Sequence, residues 1–136
     1  MGFGALNLDL IFEVEELASL STEKEIEILM GGGLSSGARG LLRMGPSILV
    51  CKRGVKGSRV FAEQEDFEVE ALPVKAVDNT GAGDVYNAGF LAGLFLEKSL
   101  VESARFATAL ASKSVTGYGR TCYPTREDLD RFFPRG

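Results

Sequence analysis

Histidine is absent from the 136-residue sequence, and cysteine occurs only twice. The lack of histidine excludes Ser-His-Asp and Cys-His catalysis and the usual zinc sites. Cys51 and Cys122 lie far apart in the sequence and form no metal-binding or redox motif, so we expect a reduced, cytoplasmic setting. Any proton transfer must therefore use a carboxylate, a lysine or a tyrosine.

The sequence also lacks a surplus of positive charge and a long apolar run. Its formal net charge of -4 and its pI near 4.9 argue against nucleic acid as a partner. The longest apolar run, residues 85–96, is too short to span a membrane and contains Asn87 and two glycines, so we expect no membrane partner. The N-terminus has neither a charged region before its apolar residues nor a convincing cleavage site, and we expect no signal peptide. With 45% hydrophobic and 25% charged residues, the chain has the composition of a single soluble domain, residues 1–136.

The clearest motif is a loop of small residues, 79–83, that leads directly into this apolar run. No charge occurs between Asp84 and Glu97, which predicts a helix that is buried on most sides. The first amides of a helix have no intrahelical acceptor and attract anions, and the two glycines of the loop would let a phosphate approach the backbone. Asp84 would then be suited to deprotonate a hydroxyl beside a phosphoryl group. The alternative is that the glycines form a turn and that Asp84 is only the N-cap of the helix.

The surrounding residues extend this motif to a longer pattern. Residues 78–84 read Asp-Asn-Thr-Gly-Ala-Gly-Asp, and residues 88–91 read Ala-Gly-Phe-Leu. The pattern resembles the C-terminal signature of the ribokinase-like (PfkB) carbohydrate and nucleoside kinases, with Asn79 where the family more often has Thr, Ser or Pro. The resemblance implies ATP-dependent phosphotransfer to a hydroxymethyl group of a sugar, or of a nucleoside as the alternative. It implies that Asp84 is the catalytic base, that Mg²⁺ bridges the phosphates of ATP, and that charge on the γ-phosphoryl group is stabilised by the amides of Gly81, Ala82 and Gly83.

The N-terminal third offers candidate substrate contacts. Residues 2–12 alternate partly at period two and predict a strand, which is similar to the opening strand of ribokinase-like enzymes. The resemblance implies that Asn7 and Asp9 meet the sugar hydroxyls, whereas composition alone suggests strand-end residues that satisfy backbone groups. Residues 31–45 resemble the first signature of the family, which implies sugar contacts by Gly32 and Gly33. They also resemble a helix that precedes a later strand of the nucleotide half, and a simple glycine hinge before a helix is equally open.

Other residues are assigned to the nucleotide by resemblance. Residues 47–52 and 59–63 predict two strands joined by a turn that contains Gly54 and Gly57, which by itself is a plain hairpin. In ribokinase-like kinases the corresponding glycines lie beside the nucleotide. The resemblance also places the adenine near Gly119. It likewise implies a monovalent cation, K⁺, bound through carbonyls at Asp78 and Thr80.

Capping and periodicity predict the remaining elements. Capping boxes that begin at Thr22 and Ser99 predict two helices, the first ending near residue 30. Residues 66–72 alternate cleanly and predict a strand, and a short final helix is expected after Pro124. The helix after Ser99 carries a predicted stripe of small and apolar residues, namely Leu100, Ala104, Ala107, Leu110, Ala111 and Ser114.

The resemblance implies an α/β fold, a three-layer α/β/α ribokinase-like architecture that is present in part. Residues 1–45 would supply the N-terminal strand and the Gly-rich segment, and residues 46–136 the nucleotide-binding and catalytic part. The intervening sheet strands, most of a β lid over the sugar and the Asn-x-x-Glu motif that orders magnesium are not visible. The alternative to an enzyme is therefore an inactive remnant that binds nucleotide or acts as an assembly module. An incomplete sheet has an unpaired edge, which favours a homodimer through that edge.

Overall fold

The computed structural model of the chain describes residues 8–9 and 34–134. The predictions for Asn7, Gly32 and Gly33, and for the helix after Thr22, lie outside the described residues. By its internal packing the chain separates into two compact units, Met1–Glu68 and Val69–Gly136. The sequence-based division at residue 45 stays a prediction.

The first unit contains a small sheet and one helix. The strands are β1 Leu8–Asp9, β2 Ile48–Lys52, β3 Ser58–Ala62 and β4 Asp66–Val69, in the order β1-β2-β3-β4. β2 pairs antiparallel with both β1 and β3, which confirms the predicted hairpin. β1 and β4 are the edges of the sheet over the described residues, and dimerisation through an edge stays a prediction.

Helix α1, Leu34–Leu42, covers part of this sheet. It carries Leu34, Ala38 and Leu41 at helical spacing, and these residues pack in one buried cluster with Leu49, Cys51 and Phe61 of the hairpin. Leu49 and Phe61 are direct partners across the two strands, so both point to the same face of the sheet. Alternation along the strands and the 3–4 spacing along the helix therefore meet in one core.

The predicted strand 66–72 is shorter in the structure. β4 ends at Val69. Its alternation is as expected, because Asp66 and Glu68 are exposed whereas Phe67 and Val69 are half-buried. Arg59 of β3 binds Asp66 through two hydrogen bonds, of 2.9 and 3.0 Å. Glu68 forms an ion pair with Arg53, and residues 70–77 have no regular secondary structure.

The second unit contains three helices. They are α2 Ala82–Phe95, α3 Leu100–Ser114 and α4 Arg126–Phe132. The capping box predicted at Ser99 is confirmed, because the Ser99 hydroxyl accepts a hydrogen bond from the Glu102 amide and the Glu102 carboxylate accepts one from the Ser99 amide. The short final helix is also confirmed. It has a capping box of its own between Thr125 and Asp128.

Two details of α2 differ from the sequence prediction. The helix begins at Ala82 rather than Val85, because Gly81 adopts a left-handed conformation and is the N-cap. The prediction of a helix buried on most sides is wrong at its C-terminal end, where Phe95 is 79% exposed and Leu96 is 45% exposed. The buried face lies nearer the start and is formed by Val85, Tyr86, Asn87, Gly89, Phe90 and Gly93.

α3 is buried on more of its surface than the predicted stripe. Ala104, Ala107 and Ser114 are buried as expected, whereas the other three members of the stripe are only half-buried. The additional buried residues are Ser103, Phe106, Thr108 and Ser112. Phe106 is covered because it packs against Phe132 and Phe133, with ring centroids 5.1 and 4.8 Å away. A stripe of small residues cannot reveal this second contact, since it depends on the C-terminal helix folding back.

Candidate active site

The loop that precedes α2 is hydrogen-bonded to the C-terminal end of α3. The backbone carbonyl of Val115 accepts hydrogen bonds from the amides of Val77 and Asp78, at 2.7 and 3.2 Å. The N-terminus of α2 and the C-terminus of α3 therefore lie side by side. The residues that join loop and helix are distant in sequence, so neither end is defined by local propensity alone.

The side chain of Asp78 organises this loop. Its carboxylate accepts a hydrogen bond from the Thr80 amide at 2.9 Å and one from the Gly119 amide at 2.8 Å. Hydrogen bonds from the side chain and amide of Thr80, followed by that from Gly119, lower the pKa of Asp78. Asp78 is therefore ionised at neutral pH, and it joins two backbone segments that are 41 residues apart.

Residues 79–82 form a tight turn. The Ala82 amide donates to the carbonyl of Asn79 at 3.2 Å, and Gly81 has φ 75° and ψ 3°. These are the angles of the third residue of a type II turn, a position that strongly favours glycine. A side chain at Gly81 would in addition overlap the hydroxyl of Tyr123. The turn therefore requires glycine for its backbone conformation and for its close neighbour.

Tyr123 is a part of the site that the sequence analysis did not find. Its hydroxyl donates to the carbonyl of Thr80 at 3.2 Å. The two residues are 43 positions apart, so no local spacing rule connects them. Tyr123 also stands outside the glycine pattern that carried the resemblance.

Two backbone amides at the start of α2 have no acceptor within the part of the chain that the structure describes. They belong to Gly81 and Asp84, whereas the Ala82 amide is used in the turn and the Gly81 carbonyl accepts from Val85 at 3.0 Å. The side chain of Asp84 is exposed and has no hydrogen bond or ion pair to another described residue. The free amides can bind an anion, and the free carboxylate beside them can accept a proton from a group next to that anion.

The predicted site residues fall into the two units. The second unit brings together Asp78, Thr80, Gly81, Ala82, Gly83, Asp84 and Gly119. In the first unit, Gly54 and Gly57 have positive φ angles of 57° and 83° and shape a 3₁₀ turn over Gly54–Lys56. Asp9 lies in β1 opposite Val50. The alternative that Asp84 is the N-cap of α2 is wrong, because the cap is Gly81 and Asp84 lies within the first turn.

Comparison with known proteins identifies the family. Residues 15–126 match the sequence model of a protein family described as "pfkB family carbohydrate kinase". The chain belongs to the pfkB family of carbohydrate kinases. This confirms the resemblance that rests on residues 78–91.

The chain is similar to individual members of this family in sequence and in structure. It is 34% identical over 112 residues to an uncharacterized sugar kinase of Archaeoglobus fulgidus, covering 82% of this chain and 43% of that one. It is 40% identical over 101 residues to a nucleoside kinase of Methanothermobacter thermautotrophicus, covering 73% of this chain and 32% of that one. The structure of Arabidopsis thaliana ribokinase complexed with ribose and ATP superposes with a TM-score of 0.73 at 28% identity, covering 85% of this chain and 40% of that one.

These matches confirm the predicted ribokinase-like fold, of which the chain has a part. The chain spans less than half the length of the curated pfkB relatives it matches. No helix among residues 34–134 combines the length and apolarity that a membrane span requires. The described residues also contain no group of three or more His, Cys, Asp or Glu side chains that could hold a metal ion. The predicted K⁺ contacts at Asp78 and Thr80 involve carbonyl groups and stay a prediction.

Proposed function

We propose that this pfkB-family chain performs ATP-dependent phosphotransfer to a hydroxymethyl group of a sugar. The observation that carries the proposal is the start of α2, where the amides of Gly81 and Asp84 are free and the Asp84 carboxylate is exposed beside them. An anion site alone would not need an acid, since a carboxylate repels phosphate. An acid at the edge of an anion site is suited to accept the proton of the attacking hydroxyl.

Asp84 is the proposed general base. Its carboxylate takes the proton of the sugar hydroxyl as the oxygen attacks the γ-phosphorus. The bond from that phosphorus to the oxygen it shares with the β-phosphate breaks, and ADP leaves. The amides of Gly81 and Asp84, together with the positive end of the α2 dipole, stabilise the negative charge on the phosphoryl oxygens. Ala82 contributes by its position in the turn, because its own amide donates to Asn79.

The fit of the implied cofactors follows from the same residues. The free amides of Gly81 and Asp84 suit a phosphate of ATP. The described residues offer no cluster of acids for a divalent ion, so we assign Mg²⁺ to the phosphate oxygens of ATP, where it would neutralise their charge. Gly54, Gly57 and Gly119 are assigned to the nucleotide, Asp9 to the sugar, and the carbonyls of Asp78 and Thr80 to K⁺.

A nucleoside kinase is the second candidate. The nucleoside kinase of Methanothermobacter thermautotrophicus shares 40% of the aligned residues, a higher identity than the Archaeoglobus fulgidus sugar kinase shares. Both acceptors present a hydroxymethyl group, so the role of Asp84 is the same for either. ATP consumption across a panel of sugars and nucleosides separates the two, and ATP binding without turnover on any of them would favour an inactive remnant.

The decisive variant is Asp84→Asn. It should lower phosphoryl transfer by about 10²- to 10⁴-fold, the usual contribution of a general base, and leave ATP affinity within a few-fold. Glu127→Gln is the matched control, since Glu127 is also an acid in the first turn of a helix, in α4, and is exposed. Unchanged turnover in Asp84→Asn would refute the proposed role.

A further inference from the structure

We infer that Tyr123 is a positioning residue that aims the Gly81 amide at the phosphoryl group. The inference rests on the proposed function, because it concerns the same anion site. The Tyr123 hydroxyl forms no hydrogen bond with the free amides of Gly81 and Asp84 or with the Asp84 carboxylate. It acts through the peptide unit that joins Thr80 to Gly81.

The geometry of one peptide unit links the tyrosine to the amide. The Tyr123 hydroxyl donates to the carbonyl of Thr80 at 3.2 Å. That carbonyl and the N–H of Gly81 are the two ends of the same planar, trans peptide group, so they point in opposite directions. A hydrogen bond that fixes the carbonyl therefore fixes the direction of the free N–H.

This peptide unit is the one that can turn over most easily. It is the central peptide of the turn formed by residues 79–82, and Gly81 follows it. Rotation of a central peptide interconverts type II and type I turns, and glycine accepts the φ angles of both at little steric cost. Such a rotation would swing the Gly81 N–H to the other side of the loop.

The neighbouring peptide units are held by other contacts. The Thr80 amide donates to the Asp78 carboxylate at 2.9 Å, and the Ala82 amide donates to the Asn79 carbonyl at 3.2 Å. Both contacts are compatible with either form of the turn, since they involve the peptides on each side of the central one. Among the described residues, only Tyr123 binds the central carbonyl. Its hydroxyl therefore favours the type II form and the amide direction that belongs to it.

The test is Tyr123→Phe, which removes the hydroxyl and keeps the ring. We expect ATP to bind about three- to tenfold more weakly, the effect of one hydrogen bond, and adenosine to bind with less than a twofold change because it has no phosphate. The matched control is Thr121→Val, which removes a hydroxyl that donates to the carbonyl of Tyr118 at 2.8 Å in the same loop. This control should leave the ratio of ATP to adenosine affinity unchanged.

The readout is that ratio, measured by calorimetry on the folded variants together with their thermal unfolding. A general loss of structure lowers the affinity for both ligands and leaves the ratio as in the wild type, which would overturn the role of Tyr123. An unchanged ATP affinity in Tyr123→Phe would also overturn it, while the proposed function would stand on wild-type binding. If the wild-type chain does not bind ATP, the proposed function fails and this role fails with it.

Discussion

The packing of α2 on α3 leads to a sharp stability prediction at Gly93. A Cβ added at Gly93 would lie 2.7 Å from the Ser103 Cβ and 2.8 Å from the Ser103 Cα, and it would overlap the Ser103 hydroxyl oxygen. Rotation of the Ser103 side chain relieves only the last of these contacts. Gly93→Ala must therefore push the two helices apart.

The expected magnitude is a balance of two effects. Overpacking of a tight contact costs about 1–3 kcal/mol, and contacts with Cβ and backbone atoms place this case near the upper end. Alanine in place of a helical glycine gains about 1 kcal/mol. We therefore expect Gly93→Ala to lower the free energy of unfolding by about 2 kcal/mol, which lowers Tm by roughly 6 °C for a chain of this size.

Two variants isolate the contact in a thermal unfolding assay. Ala88→Gly, at an exposed position of the same helix, reports helix propensity alone and should cost about 1 kcal/mol. Ser103→Gly in the Gly93→Ala background removes two of the three close atoms and should recover part of the lost stability, so the double-mutant cycle is non-additive. A higher Tm in Gly93→Ala, or strictly additive effects, would show that the helices do not meet at this point.

The remaining predictions concern the ends of helices. The hydrogen bond from Lys113, followed by that from the Thr125 amide, lowers the pKa of Asp128 from 3.8 to about 2. Because the pKa of Asp128 is lower in the folded state, this stabilisation is present above about pH 4 and is lost as the pH falls through 2. Asp128→Asn should therefore flatten the decline of the denaturant midpoint over that pH range. An identical decline in both proteins would contradict the assignment. Ser99→Ala removes the hydroxyl that caps α3 and should lower the free energy of unfolding by about 1 kcal/mol in a denaturant titration, whereas Ser99→Asn should retain most of it; equal losses in both variants would argue against the cap.

Local patterns predicted much of the fold. The capping box at Ser99, the hairpin after residue 47 and the alternation of β4 depend on residues a few positions apart, and each is present in the structure. The start of α2 was predicted three residues late, because the helical conformation begins within the glycine loop as soon as Gly81 has made its turn. The burial of Phe106 was missed for a different reason, since the rings that cover it come from the end of the chain.

The candidate site shows the same division between local and distant contacts. The glycine pattern was enough to find the loop and Asp84. Of the amides assigned to the phosphoryl group, that of Gly81 has no acceptor among the described residues, whereas that of Ala82 donates to the Asn79 carbonyl. It did not show how the loop is held, because the groups that hold it are Val115, Gly119 and Tyr123. Asp78 was assigned to a cation by resemblance, and its carboxylate is used to join Thr80 to Gly119.

The fastening of the loop by residues so much later in the chain has a consequence for synthesis on the ribosome. Asp78 and Thr80 leave the exit tunnel well before their partners Gly119 and Tyr123, which are 41 and 43 residues further along, respectively. Until those residues emerge, α2 can begin to form, but Asp78 and the central peptide of the turn lack the groups that orient them. The nascent chain therefore acquires the ordered form of this loop only after α3 and the segment that follows it have emerged.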